Sequence, residues 1–187
     1  MAQGMTQSAG LPGWGRRVLW AAALVSLLGA ARPVPSLFGV PLATATRATL
    51  RRALTAAHLS LASGGAHQWY DLYDVNGALK HASKLAVSYT QGGRFAKAEY
   101  VFPSFVSTKR LGEVIAEVRA KYGPPTRMSG RLAIGPARAR WNLPQDFDIV
   151  VRRRWPNPTT FMIIENRRMF ERMKAEQRRA TAQSGAF

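Results

Sequence analysis

The apolar and polar positions of the chain form one series that occurs twice. A helical spacing of apolar residues is followed by three runs with strand-like alternation, and the series begins again after position 107. Helices are predicted over residues 46–61 and 108–122. The second and third strands of the two series are offset by 63 positions, and such a repeat indicates an architecture rather than a chemistry. The predicted strands cover residues 69–73, 85–90 and 96–102, then 139–141, 148–154 and 159–165.

The second helix has the clearest boundaries of the predicted elements. Its apolar residues recur on one stripe, Lys121 occupies the last turn, and Gly123 follows just before two prolines. A cation in the last turn and a glycine beyond it are typical of helix ends. Near the end of the chain, Asn166 is a suitable N-cap for a third helix over residues 167–181.

These elements predict an α+β fold. Two tandem helix-plus-three-strand units form an antiparallel sheet of roughly six strands with helices on one face, and a C-terminal helix is added. The predicted domains are a signal peptide over residues 1–31, a leading loop over 32–45, one α+β domain over 46–166 with units 46–102 and 107–166, and a basic helix and tail over 167–187. The predicted core includes Leu50, Leu54, Val87, Tyr100, Val114, Val118, Trp141 and Ile163.

The first 31 residues have the layout of an export signal. Residues 1–15 contain no acidic residue, Arg16 and Arg17 follow, and residues 18–31 form an apolar run. That run is shorter than the roughly 20 residues that a membrane-spanning helix needs. A cleaved signal peptide is therefore the favoured interpretation, and it predicts a periplasmic or secreted protein. Two alternatives stay open: an uncleaved anchor in the inner membrane, and a buried helix of a cytosolic protein.

The amino-acid composition excludes several kinds of site and favours certain partners. The absence of cysteine excludes disulfides, a thiolate metal site, a cysteine nucleophile and a lipid-modified cysteine. The chain has 27 basic and 10 acidic residues, and without residues 1–31 it keeps 25 basic residues and a net charge of +15. Such a charge favours a polyanionic partner, which could be nucleic acid, anionic lipid or an acidic protein surface. Because 21 of the basic residues are arginine, a GC-rich coding sequence is an alternative source of the excess.

Residues suited to catalysis or metal binding are sparse. His58, His67 and His81 are separated by 9 and 14 positions, which matches no compact metal motif. Asp71 and Asp74 fall on opposite sides of a predicted strand, which disfavours a pair of catalytic carboxylates. No phosphate-binding glycine loop or nucleophile motif occurs. We therefore predict no enzyme activity, no catalytic or metal-binding residue and no cofactor.

Strand alternation predicts one basic surface in the second unit. If Trp141 points toward the helices, Arg138 and Arg140 of the same strand point away. The same alternation turns Arg152 and Arg154 of the next strand outward. Guanidinium groups suit carboxylate and phosphate partners because they form two parallel hydrogen bonds. The expected partner is an acidic protein or an anionic component of the cell envelope. The candidate partner-binding residues are Arg138, Arg140, Arg152 and Arg154.

Two alternatives to this surface remain open. The four arginines could be separately solvated and partly neutralised by Asp148 and Glu165. The terminal helix is a second candidate surface, although its glutamates can pair with its arginines at helical spacing. The residues of that helix are Arg168, Arg172, Arg178 and Arg179, with Glu171 and Glu176.

The repeated unit resembles a known envelope module. The run Lys121-Tyr122-Gly123-Pro124-Pro125, followed by Ala139-Arg140-Trp141 and a hairpin, is similar to the SmpA/OmlA type of small outer-membrane lipoprotein. Two such units in tandem resemble the beta-lactamase inhibitor protein architecture and exported proteobacterial proteins with a similar mature domain. The likeness covers residues 38–165. It implies a non-catalytic module that binds other proteins through its sheet face.

Three function classes follow as alternatives. The first is an exported interaction module of the cell envelope. The second is a basic nucleic-acid-binding protein, whose binding would depend strongly on salt. The third is a small periplasmic hydrolase without a recognisable motif. Export argues against nucleic acid as the natural partner, and an uncleaved segment 18–31 would add a membrane contact.

Cleavage of the signal peptide is directly testable. We expect the mature protein to begin close to Arg32, because the small residues Gly29, Ala30 and Ala31 precede it. N-terminal sequencing of the protein purified from its own cells measures this. A mature chain that begins at Met1 would remove the basis for predicting export.

Overall fold

The computed structural model describes residues 32–65, 69–75, 77–104, 108–156 and 158–184, so the predicted signal peptide lies outside the described residues. None of the described helices is both long and apolar enough to cross a membrane. In chain order the described elements are β1 (Ser36–Leu37), β2 (Val40–Pro41), α1 (Arg47–Ala56), β3 (Ser60–Ser63), β4 (Tyr70–Asp74), β5 (Lys84–Tyr89), β6 (Phe95–Phe102), α2 (Lys109–Tyr122), β7 (Arg127–Gly130), β8 (Ala137–Leu143), β9 (Phe147–Arg153), β10 (Thr160–Asn166) and α3 (Arg167–Ser184).

Eight of these strands form one antiparallel sheet, and β1 and β2 form a separate two-stranded hairpin. The order across the large sheet is β3, β4, β5, β6, β10, β9, β8, β7. Each unit supplies one half of the sheet, and β6 and β10 join the halves at the centre. The predicted α+β class, the antiparallel sheet and the C-terminal helix are confirmed. The sheet is wider than the expected six strands because each unit has a fourth strand at its edge, β3 in the first and β7 in the second.

The first helix is shorter than the prediction over residues 46–61. It begins after its N-cap Thr46, whose hydroxyl accepts a hydrogen bond from the amide of Thr49, and it covers ten residues. His58 then adopts a left-handed φ of 63°, and the chain continues into β3. Leu61 has helical spacing in the sequence, but it pairs with Tyr73 of β4 instead.

A buried ion cluster fastens α1 to the sheet. Asp71 of β4 is fully buried, and one Nη2 atom from each of Arg47 and Arg51 lies 2.7 Å from its Oδ1. Burial alone would raise the pKa of Asp71, but the hydrogen bonds from Arg51 and Arg47 outweigh burial and lower it. Gly64 passes close to this carboxylate, because a Cβ atom there would lie 2.4 Å from Asp71 Oδ1. The backbone can pass this close to the carboxylate only at a glycine.

The inner face of the sheet packs against α1 and α2 and contains the core. Trp141 of β8 is completely buried, and its indole N–H donates to the carbonyl oxygen of Gly123 at 2.9 Å. Ile163 is the error in the predicted core, because register places it on the opposite face, across from Val150 and Glu99. The other predicted core positions are confirmed: Leu50, Leu54, Val87, Tyr100, Val114, Val118 and Trp141.

The third helix packs on the outer face of the sheet, opposite α1 and α2. Asn166 caps its first turn, as predicted. The Lys97 ammonium lies 5.6 Å from the centre of the Phe170 ring, and Glu176 accepts a hydrogen bond from the amide of Gln91 at 2.6 Å. The centre of the sheet is therefore covered on both sides, which accounts for the apolar residues on both faces of β10.

Truncation of Trp141 tests the assignment of the inner face. We expect Trp141→Ala to lower the free energy of unfolding by roughly 3–5 kcal/mol, because it leaves a large cavity in a closed core. It also leaves the Gly123 carbonyl without its donor. Urea denaturation followed by circular dichroism measures the difference. Tyr70→Ala is the control, since Tyr70 is 47 % exposed; similar losses in both variants would contradict the assignment.

Candidate functional site

The outer face of the sheet carries the charged side chains of β6, β8, β9 and β10. Strand register aligns them in three rows that cross these four strands. The first row is basic and aromatic, the second has an apolar centre, and the third contains two carboxylates. From β8 to β6, the first row is Arg138, Arg152, Phe161 and Val101, the second is Arg140, Val150, Ile163 and Glu99, and the third is Asn142, Asp148, Glu165 and Lys97.

Three of the four predicted arginines have no carboxylate partner among the described residues, and we call Arg138, Arg152 and Arg154 the arginine triad. Arg138 and Arg152 are directly opposite each other, and Arg154 follows the end of β9. The guanidinium carbons of Arg152 and Arg154 lie 5.7 and 5.5 Å from the centre of the Phe161 ring. These cation–π contacts stabilise two members of the triad. Like charges directly opposite each other destabilise a sheet, so the triad favours an anionic partner.

Arg140 has a different role from the arginine triad. Its guanidinium forms an ion pair with Asp148, which is only 3 % exposed. The other carboxylate oxygen of Asp148 has no hydrogen-bond partner within the described part of the chain and lies 3.9 Å from Arg167 of α3. Removal of Arg140 would therefore leave a poorly compensated buried charge, which is strongly destabilising.

A second carboxyl group lies beside this ion pair. Glu165 of β10 is directly opposite Asp148 of β9. Burial raises the pKa of Glu165, Lys97 opposes the rise, and Asp148 adds to it. The acidic row of the outer face therefore contains one carboxylate paired with arginine and one carboxyl whose ionised form is disfavoured.

A cavity of about 260 Å³ lies on this face and is lined by residues of all three rows. Val150 and Ile163 of the sheet and Phe170 of α3 supply its apolar lining. The Nε atoms of Arg140 and Arg152 are buried and have no hydrogen-bond partner among the described residues. The cavity thus has a basic row on one side, an acidic row on the other and apolar groups between them.

The other residues considered for chemistry remain apart. His58 and His81 are exposed, and His67 lies outside the described residues. Asp71 is buried on the inner face, whereas register places Asp74 on the outer one. Across the described ranges, no group of three or more histidines and carboxylates is close enough to hold a metal ion.

Sequence reasoning missed the aromatic residues of the site. The Phe161 ring contacts the guanidinium groups of Arg152 and Arg154, and Phe170 of α3 lines the cavity. Residues 161–164 of β10 are apolar on both faces, which is typical of a strand that is covered on both sides. The position of α3 on this face depends on contacts between segments that are distant in sequence.

No protein-family model and no curated protein matches the chain. Among solved structures, the chain is similar to a DUF4309 family protein, YjgB, from Bacillus subtilis subsp. subtilis str. 168. The two sequences are 15% identical, the TM-score is 0.44, and the match covers 68% of this chain and 82% of that one.

Replacement of Glu165 tests the electrostatics of the acidic row. A carboxyl whose pKa is raised on folding destabilises the folded state once it ionises, so its cost appears as pH rises above the ordinary value of 4.5. We expect Glu165→Gln to be more stable than the parent at pH 7, with the difference vanishing toward pH 4 and below. Urea unfolding at both pH values measures this.

The exposed Glu117 of α2 provides a matched control for Glu165. Glu117→Gln removes one carboxylate from a helix surface and should change stability little at either pH. A Glu165→Gln variant that is less stable than the parent at pH 7 would contradict the assignment.

Proposed function

We propose that the chain is an exported, non-catalytic protein of the cell envelope that binds an acidic protein surface through the outer face of its sheet. The arginine triad carries this proposal, because three guanidinium groups lie on one face without a carboxylate partner among the described residues. The layout of residues 1–31 supports both export and a periplasmic or secreted location. The resemblance to tandem SmpA/OmlA-like modules supports the same proposal.

The arrangement of the triad favours a protein partner. Two of its guanidinium groups lie on Phe161, which leaves their hydrogen-bonding edges for planar acceptors such as carboxylates. Beside them, Val150 and Ile163 offer apolar contact within a cavity that holds one or two side chains. Arginine and aromatic residues are enriched in the centres of protein interfaces.

Nucleic acid fits this face less well. The acidic row, which contains Asp148 and Glu165, lies two rows away from Arg152, or four residues along β9, so a long polyanion crossing the face would approach two carboxyl groups. Tyr100 and Trp141 are buried on the inner face, and the Phe161 ring of the outer face is in contact with Arg152 and Arg154, so none of these three rings offers a free stacking surface for bases.

Removal of the triad tests the proposed function. We expect Arg138→Ser, Arg152→Ser and Arg154→Ser combined to weaken binding of a short fluorescein-labelled polyglutamate peptide by at least about tenfold. Hydrogen bonds to charged groups contribute roughly 1.5–3 kcal/mol each, and tenfold corresponds to about 1.4 kcal/mol. Fluorescence anisotropy at fixed salt measures the affinity. Arg140 is kept because it compensates Asp148.

The control variant removes the same charge elsewhere. Lys80, between β4 and β5, and Arg119 and Lys121 of α2 are exposed, and their replacement by serine should leave binding close to that of the parent. Equal loss in both variants would show that net charge alone attracts the peptide. Tighter binding of a DNA duplex than of the peptide would favour the nucleic-acid alternative and overturn the proposal.

A further inference from the structure

A second cleft lies away from the outer-face cavity, beside the first turns of α1. Its volume is about 950 Å³, which is large enough for a small organic molecule. Residues of α1, the turn that joins β5 to β6, and Ala180 of α3 form its walls. The lining residues that matter for its chemistry are Arg47, Arg51, Arg52, Trp69 and Gly92.

Two arginines of this cleft are held in place by the same buried carboxylate. Arg47 and Arg51 both bind Asp71 through their Nε and Nη2 atoms, at distances of 2.7–3.3 Å. The Arg47 guanidinium also lies 5.1 Å from the centre of the Tyr89 ring. Neither Nη1 atom has a hydrogen-bond partner in the described ranges. The two side chains are therefore fixed in orientation and keep donors available.

The charges of the cluster do not balance. Two guanidinium groups share one carboxylate, and Arg52 adds a third positive charge without an ion pair among the described residues. Asp71 is fully buried, whereas the side chains of Arg47 and Arg51 are 17% and 37% exposed. The cleft therefore presents positive charge while the compensating carboxylate stays hidden behind it. Partly buried cations without full compensation favour an anionic ligand.

Trp69 adds an apolar wall to this cleft. It is half-buried, and its carbonyl oxygen accepts a hydrogen bond from the amide of Tyr89 at 2.9 Å, which fixes its backbone at the edge of β5. An indole ring beside oriented guanidinium groups suits a ligand that joins a flat apolar portion to an anionic group.

We propose that this cleft binds a small organic anion, with a carboxylate or phosphate group on Arg51 and Arg52 and a flat apolar portion against Trp69. The site uses none of the residues of the arginine triad. The test of this site is therefore independent of the test of the proposed function of the outer face.

Calorimetric titration of the full chain with 1-naphthoate and 1-naphthyl phosphate tests this proposal. We expect at least one of these anions to bind, and the stronger of the two identifies the anionic group. Neutral 1-naphthol should bind much more weakly, because it lacks the charge that the arginines recognise. Failure of both anions to bind at millimolar concentration, or equal binding of 1-naphthol, would overturn the proposal.

Two substitutions locate the binding without disturbing Asp71. A Cβ atom at Gly92 meets no atom within 4 Å, so Gly92→Leu should fold normally and obstruct the cleft. Gly112 of α2 has the same open surroundings, which makes Gly112→Leu the matched control. We expect Gly92→Leu to abolish binding and Gly112→Leu to retain it; retention in both would show that the anion binds elsewhere.

The charge of the cleft is tested in the same way. Arg52→Gln should weaken binding of the tighter anion by roughly tenfold, the low end for a hydrogen bond to a charged group. Arg119→Gln removes an exposed arginine of α2 and should leave the affinity unchanged. Equal weakening by both substitutions would show that the net charge of the protein attracts the anion at long range, which would contradict a specific site.

Discussion

The pairing of β6 with β10 is the interaction on which the rest of the structure depends. Each unit ends with one of these strands, and their antiparallel register, from Thr160 opposite Phe102 to Glu165 opposite Lys97, joins two half-sheets into one. Without it, the strands of the second unit would have no fixed position relative to Lys97 and Glu99 of the first. The outer-face cavity would then lose Lys97 and Glu99 from its lining, so the candidate site is a product of the tandem arrangement rather than of either unit alone.

The same junction explains why the two faces of the sheet differ in chemistry. The inner face is covered by α1 and α2 and is largely apolar, with Trp141 and Ile149 at its second-unit end; Asp71 and Arg153 are its buried charged residues. The outer face is covered only near its centre, where α3 contacts β5, β6 and β10. Beyond α3 the side chains of Arg138 and Asn142 on β8 are exposed and Arg152 on β9 is partly exposed, so solvent screens the charges of these arginines. At the edge of the region that α3 covers, Asp148 is buried, and the ion pair with Arg140 compensates its charge.

The parts of this fold that could be predicted are those controlled by local sequence. The end of α2 at Gly123 follows from a φ of 77° that glycine adopts readily, and the cap at Asn166 follows from a side chain that accepts an amide hydrogen bond. The edge strands β3 and β7 could not be predicted in this way, because all their residues are exposed and show no alternation of burial. Alternation cannot assign a face to Ile163, because β10 is apolar on both sides. The arginine triad was visible from alternation, whereas the Arg140 ion pair and the cleft at α1 depend on contacts between segments distant in sequence.

Arginine content by itself does not separate function from composition, but the environment of individual arginines does. Arg153 is only 2 % exposed on the inner face, and its guanidinium donates to the carbonyl oxygens of Thr108, Arg131, Leu132 and Gly135. Such a group would be costly without those acceptors, so Arg153 is a structural residue that fixes the connection from β7 to β8. Its neighbours Arg152 and Arg154 have the opposite orientation, and among the described residues they have aromatic support but no carboxylate partner. Three consecutive arginines thus divide into one that stabilises the fold and two that have no carboxylate partner among the described residues.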